Sequence, residues 1–238
     1  MTAVRAKRVS KTKLLTLVKN LDWRAVKAAV NEHPDVLKYR GDRGASLLHV
    51  CCGIDIETRG LPAPDSIRTA GVLLDASLDI NEAAFTEGDW KATPLWYVIS
   101  RGKNLALAKY LLGRGASPEH CMWAAAYNND PPAIRLLVRA GASVDVHHDD
   151  SPFLFAIKWS HFAAAKALLD AGANVNLQDR HGKTALHYML KKRSDPKYIR
   201  MLLDYGARLD LEDRDGVTAG AVLSRMRTPA YQAIAKKR

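Results

Sequence analysis

Four Gly-Ala pairs recur along this chain, each closing a similar phrase: Gly115-Ala116, Gly141-Ala142, Gly172-Ala173 and Gly206-Ala207. Their spacings are 26, 31 and 34 residues. The clearest phrases read LLDAGANVN, from Leu168 to Asn176, and LLDYGARLD, from Leu202 to Asp210. A unit of about 33 residues is too small to bury its own apolar face, so neighbouring units must complete the core between them. The chain is therefore expected to stack repeats, with its 238 residues counting units rather than filling one globule. Its 47% hydrophobic content is enough for a continuous core.

The best-formed unit runs from Leu177 to Asp210. Asp179, Gly182 and Thr184-Ala185-Leu186-His187 come first, and two helical stretches follow, the second ending at Gly206-Ala207. This unit resembles the ankyrin repeat, whose signature D-x-x-G-x-T-P-L-H precedes two short helices; Ala185 stands here in place of the Pro. Parts of the signature return as Gly44-Ala45-Ser46-Leu47-Leu48-His49, Thr93-Pro94-Leu95-Trp96, Ser151-Pro152-Phe153-Leu154 and Gly216-Val217-Thr218-Ala219. Thr or Ser caps the first helix, and Pro at its first position loses no hydrogen bond. Gly of the Gly-Ala pair takes the left-handed conformation that ends the second helix. Asp and Gly ahead of the Thr suit a tight turn at a finger tip.

The expected fold is all-α with short β-hairpin-like fingers, an ankyrin-repeat solenoid. Residues 1–10 read as a basic tail, 11–35 as an N-terminal capping repeat and 208–238 as a partial C-terminal capping repeat. Five repeats lie between, at about 36–78, 79–116, 117–142, 143–173 and 174–207. Repeat one carries extra residues, 53–66. With Gly60 and Pro62-Ala63-Pro64 these are expected to break the helix and protrude as a loop. Repeat two has a long finger, Asn81 to Ala92, containing Phe85 and Trp90, and repeat three lacks most of its finger.

Net charge is +11, and its distribution is uneven. Residues 1–40 hold ten Lys/Arg against three Asp/Glu, residues 41–179 twelve against sixteen, and residues 180–238 fourteen against six. The three cysteines, Cys51, Cys52 and Cys121, form no disulfide framework and point to a reducing compartment. The apolar run Leu14 to Val18 is too short for a signal segment, and no stretch approaches the roughly 18–20 apolar residues of a membrane helix. The expected setting is the cytoplasm, with no membrane contact.

The candidate chemistry is thin. His49 and His187 occupy the motif position that the resemblance makes structural, and Trp96, Trp123 and Leu154 fill the same slot elsewhere. That excludes a shared catalytic histidine. Adjacent Cys51 and Cys52 face different ways on a helix and make a poor chelate, as do His120 and Cys121. The cluster His147-His148-Asp149-Asp150 reads as a solvated turn. No phosphate-binding loop, nucleophile elbow, dinucleotide fingerprint or H-E-x-x-H is present. No enzyme, metal or cofactor is expected.

A binding surface is the stronger reading. The resemblance implies that fingers and first helices line a concave face. It places contacts at Arg180, His181, Lys183, Lys191 and Lys192 in repeat five, Lys158 and Trp159 in repeat four, and Arg214 in the C-terminal cap. Tyr97, Phe155 and Tyr188 follow the motif histidine slot and border the same groove, and Trp90 on the long finger is a further candidate. Trp23, Trp96, Trp123 and Phe153 are expected in the core. The expected function is a non-catalytic protein-interaction module for an acidic protein partner, monomeric as the resemblance implies. Nucleic-acid binding through the basic ends is the alternative. The absence of any nucleic-acid-binding motif and the acidic middle of the chain argue against it.

Overall fold

The computed structural model describes residues 10–87, 90–145 and 151–236. The chain divides into two compact halves, residues 1–124 and 125–238. The first half opens with α1 (Lys11–Lys19) and α2 (Trp23–Glu32), capped by the side chains of Ser10 and Asp22. Next come α3 (Leu47–Cys52), the single turn α4 (Ile56–Arg59) and α5 (Ala63–Asp75). A two-stranded finger, β1 (Thr86–Glu87) against β2 (Trp90–Lys91), leads into α6 (Pro94–Tyr97) and α7 (Leu105–Gly113). First helices pack on one another as α1 on α3 and α3 on α6, and second helices as α2 on α5 and α5 on α7.

Helix α8 (Met122–Tyr127) carries the chain into the second half, where α9 (Pro131–Arg139) follows. Three more pairs are α10 (Pro152–Lys158) with α11 (Phe162–Asp170), α12 (Ala185–Lys191) with α13 (Pro196–Asp204), and α14 (Ala219–Ser224) with α15 (Pro229–Lys236). Helix α10 packs on α12 and α12 on α14, while α9 packs on α11 and α13 on α15. Leucine and alanine fill the layer between, with Leu154, Leu168, Leu186 and Leu202 almost wholly buried.

Each of these four Gly-Ala pairs closes its helix in one way. Gly115, Gly141, Gly172 and Gly206 have φ of 92°, 90°, 92° and 83°. The following alanine N–H donates five residues back, as Ala173 does to Leu168 at 3.0 Å and Ala207 to Leu202 at 3.0 Å. This is the Schellman closure of a helix end. A Cβ at these glycines would meet nothing within 4 Å, so φ alone selects glycine. A fifth copy of the closure is built on serine: Ser77 stands at φ 71°, and Leu78 N–H donates to Leu73 at 3.2 Å.

Four residues beyond three of these closures a side chain joins consecutive repeats. Asn81 donates to the Gly115 carbonyl at 3.2 Å and accepts from Ser117 N–H at 2.8 Å. Asn176 repeats both bonds, to Gly206 at 3.0 Å and from Arg208 at 2.7 Å. Asp145 holds the same place with acceptor oxygens only, taking Asn174 N–H at 3.2 Å.

The motif histidines join repeats too. His49 Nδ1 accepts the Ser46 N–H at 3.1 Å, so the proton sits on Nε2, which donates to the carbonyls of Glu82 at 3.0 Å and Ala92 at 3.2 Å. His187 pairs likewise with Thr184 at 3.1 Å and with the Val217 carbonyl at 3.0 Å. Each ring thus closes a capping box in its own repeat and holds the next finger.

Two expectations need correction, and one feature was not expected. The segment 53–66 is not a loop throughout, because Pro64 falls at the second position of α5, where a missing N–H costs nothing. Within α5, Ser66 is buried and accepts from Asn104 Nδ2 at 2.8 Å. Trp23, Trp96 and Trp123 are half-buried rather than core, and of the four only Phe153 is fully buried. Trp23 lies under the guanidinium of Arg24, 4.4 Å from the ring centre. Finally, repeat two carries a π turn, Val98–Gly102, that lengthens its first helix by one residue. The turn sets Gly102 so close to α3 that a Cβ there would lie 2.3 Å from the Cys52 carbonyl oxygen.

Two outcomes follow from these closures. Ser77→Gly is expected to raise stability by roughly 0.5–1 kcal/mol, and Gly172→Ala to lower it by about 1–2 kcal/mol, since a left-handed φ penalises a side chain even in open space. Urea-unfolding midpoints read both. Burial pulls the His49 imidazole below its ordinary 6.5, against the opposing pull of the Glu82 carbonyl. The folded state therefore prefers the neutral ring. The stability this preference adds is complete above pH 6.5 and drains as pH falls below it. His49→Gln, measured by urea midpoint from pH 7.5 to pH 5, should start about 1 kcal/mol lower and converge on the wild type toward the acidic end.

Candidate functional site

The residues proposed for contact do not share one environment. In the first half, Tyr97 is only 7% exposed. It lies edge-on to His49, ring centres 5.2 Å apart, and under Arg101 at 4.9 Å, so it packs rather than offering itself to a partner. Trp90 is half-buried between Phe85 at 5.1 Å and Trp96 at 4.9 Å, bracing the finger.

In the second half the finger aspartates sort the cations. Asp179 accepts the N–H groups of His181 at 2.9 Å and Lys183 at 3.0 Å through one oxygen, which builds the turn. Its other oxygen accepts the Tyr188 hydroxyl and lies 3.3 Å from Lys158 Nζ. Burial would raise this carboxyl, but the Tyr188 hydroxyl, the two N–H groups and Lys158 outweigh it and hold Asp179 below the ordinary 3.8. Tyr188 moves the other way, raised by burial and by its bond to Asp179. Lys158 also sits 4.7 Å from the Tyr188 ring centre. Asp213 repeats the turn with Asp215 and Val217 N–H, each at 3.0 Å, and Lys183 Nζ lies 4.0 Å away. Lys158 and Lys183 are thus spent on the fingers. Arg180, Lys191, Lys192 and Arg214 are exposed, and Arg180 donates to the exposed His181 ring at 3.3 Å.

The aromatic side chains do converge. Phe155 and Trp159 are four residues apart on α10 and its C-cap, which puts their rings on one face, 5.9 Å apart. Tyr127, at the end of α8, stacks on Phe155 at 6.0 Å with an interplanar angle of 27°. The three make a continuous aromatic step with Tyr127 66% and Trp159 64% exposed, far above the other large apolar side chains. His161 steadies it, donating Nδ1–H to the Ala126 carbonyl at 3.0 Å beside Tyr127. Lys192 donates its ammonium to the Lys158 carbonyl next to Trp159, so a cation borders the step. Sequence reasoning missed Tyr127; the signal was a tyrosine in the slot that repeats four and five give to Lys158 and Lys191.

The thiols are inert. Burial pushes Cys51 and Cys121 up to about 12 and raises Cys52 well above its ordinary value. Among the described residues no cluster of His, Cys, Asp or Glu is placed to hold a metal ion, and His147-His148-Asp149-Asp150 lies outside them. Among the described residues no helix is long and apolar enough to cross a membrane.

A protein-family model described as ankyrin repeats, three copies, matches residues 121–213. Ankyrin repeat and SOCS box protein 6 of Homo sapiens is 41% identical over 70 residues, 28% of this chain and 17% of that protein. The Mus musculus protein of that name is 40% identical over the same length and shares. The matched segment thus spans about a sixth of the length of these relatives. Among solved structures, the human ASB11 ankyrin repeat domain aligns with TM-score 0.69 at 19% identity, covering 94% of this chain and 97% of that one. The ankyrin repeat domain of Bcl-3, of the IkappaB family, aligns with TM-score 0.73 at 20% identity, covering 93% and 96%. Helix pairs, capping histidines, glycine closures and these likenesses agree: the chain has the ankyrin-repeat fold, and its residues 121–213 match the ankyrin repeat family.

Proposed function

We propose that this chain is a non-catalytic protein-interaction module whose main contact is the aromatic step of Tyr127, Phe155 and Trp159. The carrying observation is that two large aromatic rings stand about two-thirds exposed on a rigid, stacked base. Aromatic side chains fixed in place lose little entropy on docking, and they dominate interface energetics. Lys191 and Lys192 favour an acidic partner by steering its approach. The unpaired, buried thiols support a reducing compartment as its setting.

Capture from native lysate with the wild type and with a Tyr127→Ala/Trp159→Ala variant, followed by mass spectrometry, identifies a protein held by one and lost by the other. With that partner, Trp159→Ala is expected to raise the dissociation rate about tenfold and to change association little. Lys191→Gln/Lys192→Gln should instead flatten the salt dependence of association. A capture profile unaltered by the aromatic variant would remove the reading, and equal effects of both variants on both rates would remove its division of labour.

A further inference from the structure

The last two helix pairs enclose a groove of about 850 Å³ that the aromatic step does not use. It opens between the end of α12 and the turn joining α14 to α15. Its floor is apolar, with Leu190, Val222 and Met226. Its rim carries Lys191, Arg193, Arg225 and Arg227, and no acidic residue lines it. Tyr231 fixes the shape: its ring is 5% exposed and its hydroxyl donates to the Ser194 carbonyl, tying α15 to the turn after α12.

Among the described residues of this half some cations are paired and others, such as Arg180, Arg200 and Arg214, are not; what sets the rim apart is that four unpaired cations surround one opening. Lys158, Lys166, Lys183, Lys197 and Arg208 each meet an aspartate within 4.0 Å. Among the described residues none of the four rim cations forms an ion pair. A helix C-terminus favours a nearby cation, which accounts for one at the end of α12 and one at the end of α14. It does not account for four around one opening without a carboxylate. Like charges held together repel until a counter-charge arrives.

We propose that this groove binds an acidic peptide segment, its carboxylates on the rim and one apolar side chain on the floor. Charge complementarity names the carboxylates, and the Leu190, Val222 and Met226 floor names the apolar anchor. A nucleic acid suits the site less well. Its bases need a stacking face, and the one aromatic side chain in the lining has its ring buried and its hydroxyl engaged. The site goes beyond the aromatic step; Lys191 is common to both and stays unaltered in the test.

Fluorescence anisotropy of the intact chain with a labelled Asp/Glu-rich peptide bearing a central Leu tests the site. Saturable binding at low salt is expected, weakened about tenfold by Arg225→Glu/Arg227→Glu and unchanged by Arg200→Glu on the outer helix α13. The matching Asn/Gln peptide should not bind. Trp159→Ala should leave the affinity unchanged, so failure of the groove and failure of the aromatic step are read apart. If a thermal scan shows that the charge reversal unfolds the chain, Arg225→Gln/Arg227→Gln replaces it, with a smaller loss of the same sign. The proposal is overturned by no binding at low salt, by equal weakening with Arg200→Glu, by tighter binding of a single-stranded oligonucleotide, or by self-association in sedimentation that the Arg225/Arg227 variant abolishes.

Discussion

The whole arrangement depends on how a very short helix can end without leaving its last carbonyls unpaired. First helices of four to nine residues and second helices of eight to thirteen are too brief to be stable alone. Five second helices solve the problem with one left-handed residue and a bond reaching five residues back. That reversal aims the chain so that a side chain four residues on can reach the next repeat. Asn81 and Asn176 reach it with a donor and an acceptor, and Asp145 with an acceptor alone. The histidines at 49 and 187 do the corresponding work at the start of the first helix. Helix termination and contact between repeats are therefore one event, and burial of leucine completes it.

Much of this was legible in the sequence, and the reasons can be assigned residue by residue. Glycine before alanine marks a closure because only glycine takes φ near 90° without strain. Ser77 occupies the same conformation, but serine does not demand it, so the fifth closure left no trace beyond its neighbours Leu73 and Leu78. Prolines 62 and 64 read as breakers because composition does not reveal which of them falls in the first turn of a helix, where proline is harmless. The π turn at Val98–Gly102 adds a residue that no propensity signals. The half-buried tryptophans erred in the opposite sense: their size suggested core, yet cations and neighbouring rings cover them at the surface.

The site shows the same divide. That Lys158, Trp159, Lys191 and Lys192 lie near one another followed from repeat spacing. Which of them are engaged did not, because it turns on Asp179 and Asp213. A finger aspartate needs two backbone N–H groups to form its turn, and its remaining oxygen then recruits whichever ammonium the neighbouring helix or finger provides. Lys158 and Lys183 are taken in this way. A surplus of positive charge in residues 180–238 is thus divided between internal fastening and outward display, and only geometry tells the two apart.

The extra residue at Val98–Gly102 carries a consequence for anyone wishing to regularise this protein. Gly102 sits where a methyl group would strike the Cys52 carbonyl, and the bulge is what brings it there. Averaging the second repeat toward an idealised family sequence would delete the bulge, rotate the segment after it by about a hundred degrees, and turn Asn104 away from Ser66. Ser66 would then lose the Asn104 amide that it accepts from. Irregularity at this place is a keystone, and the standard engineering route to a more robust scaffold would dismantle it.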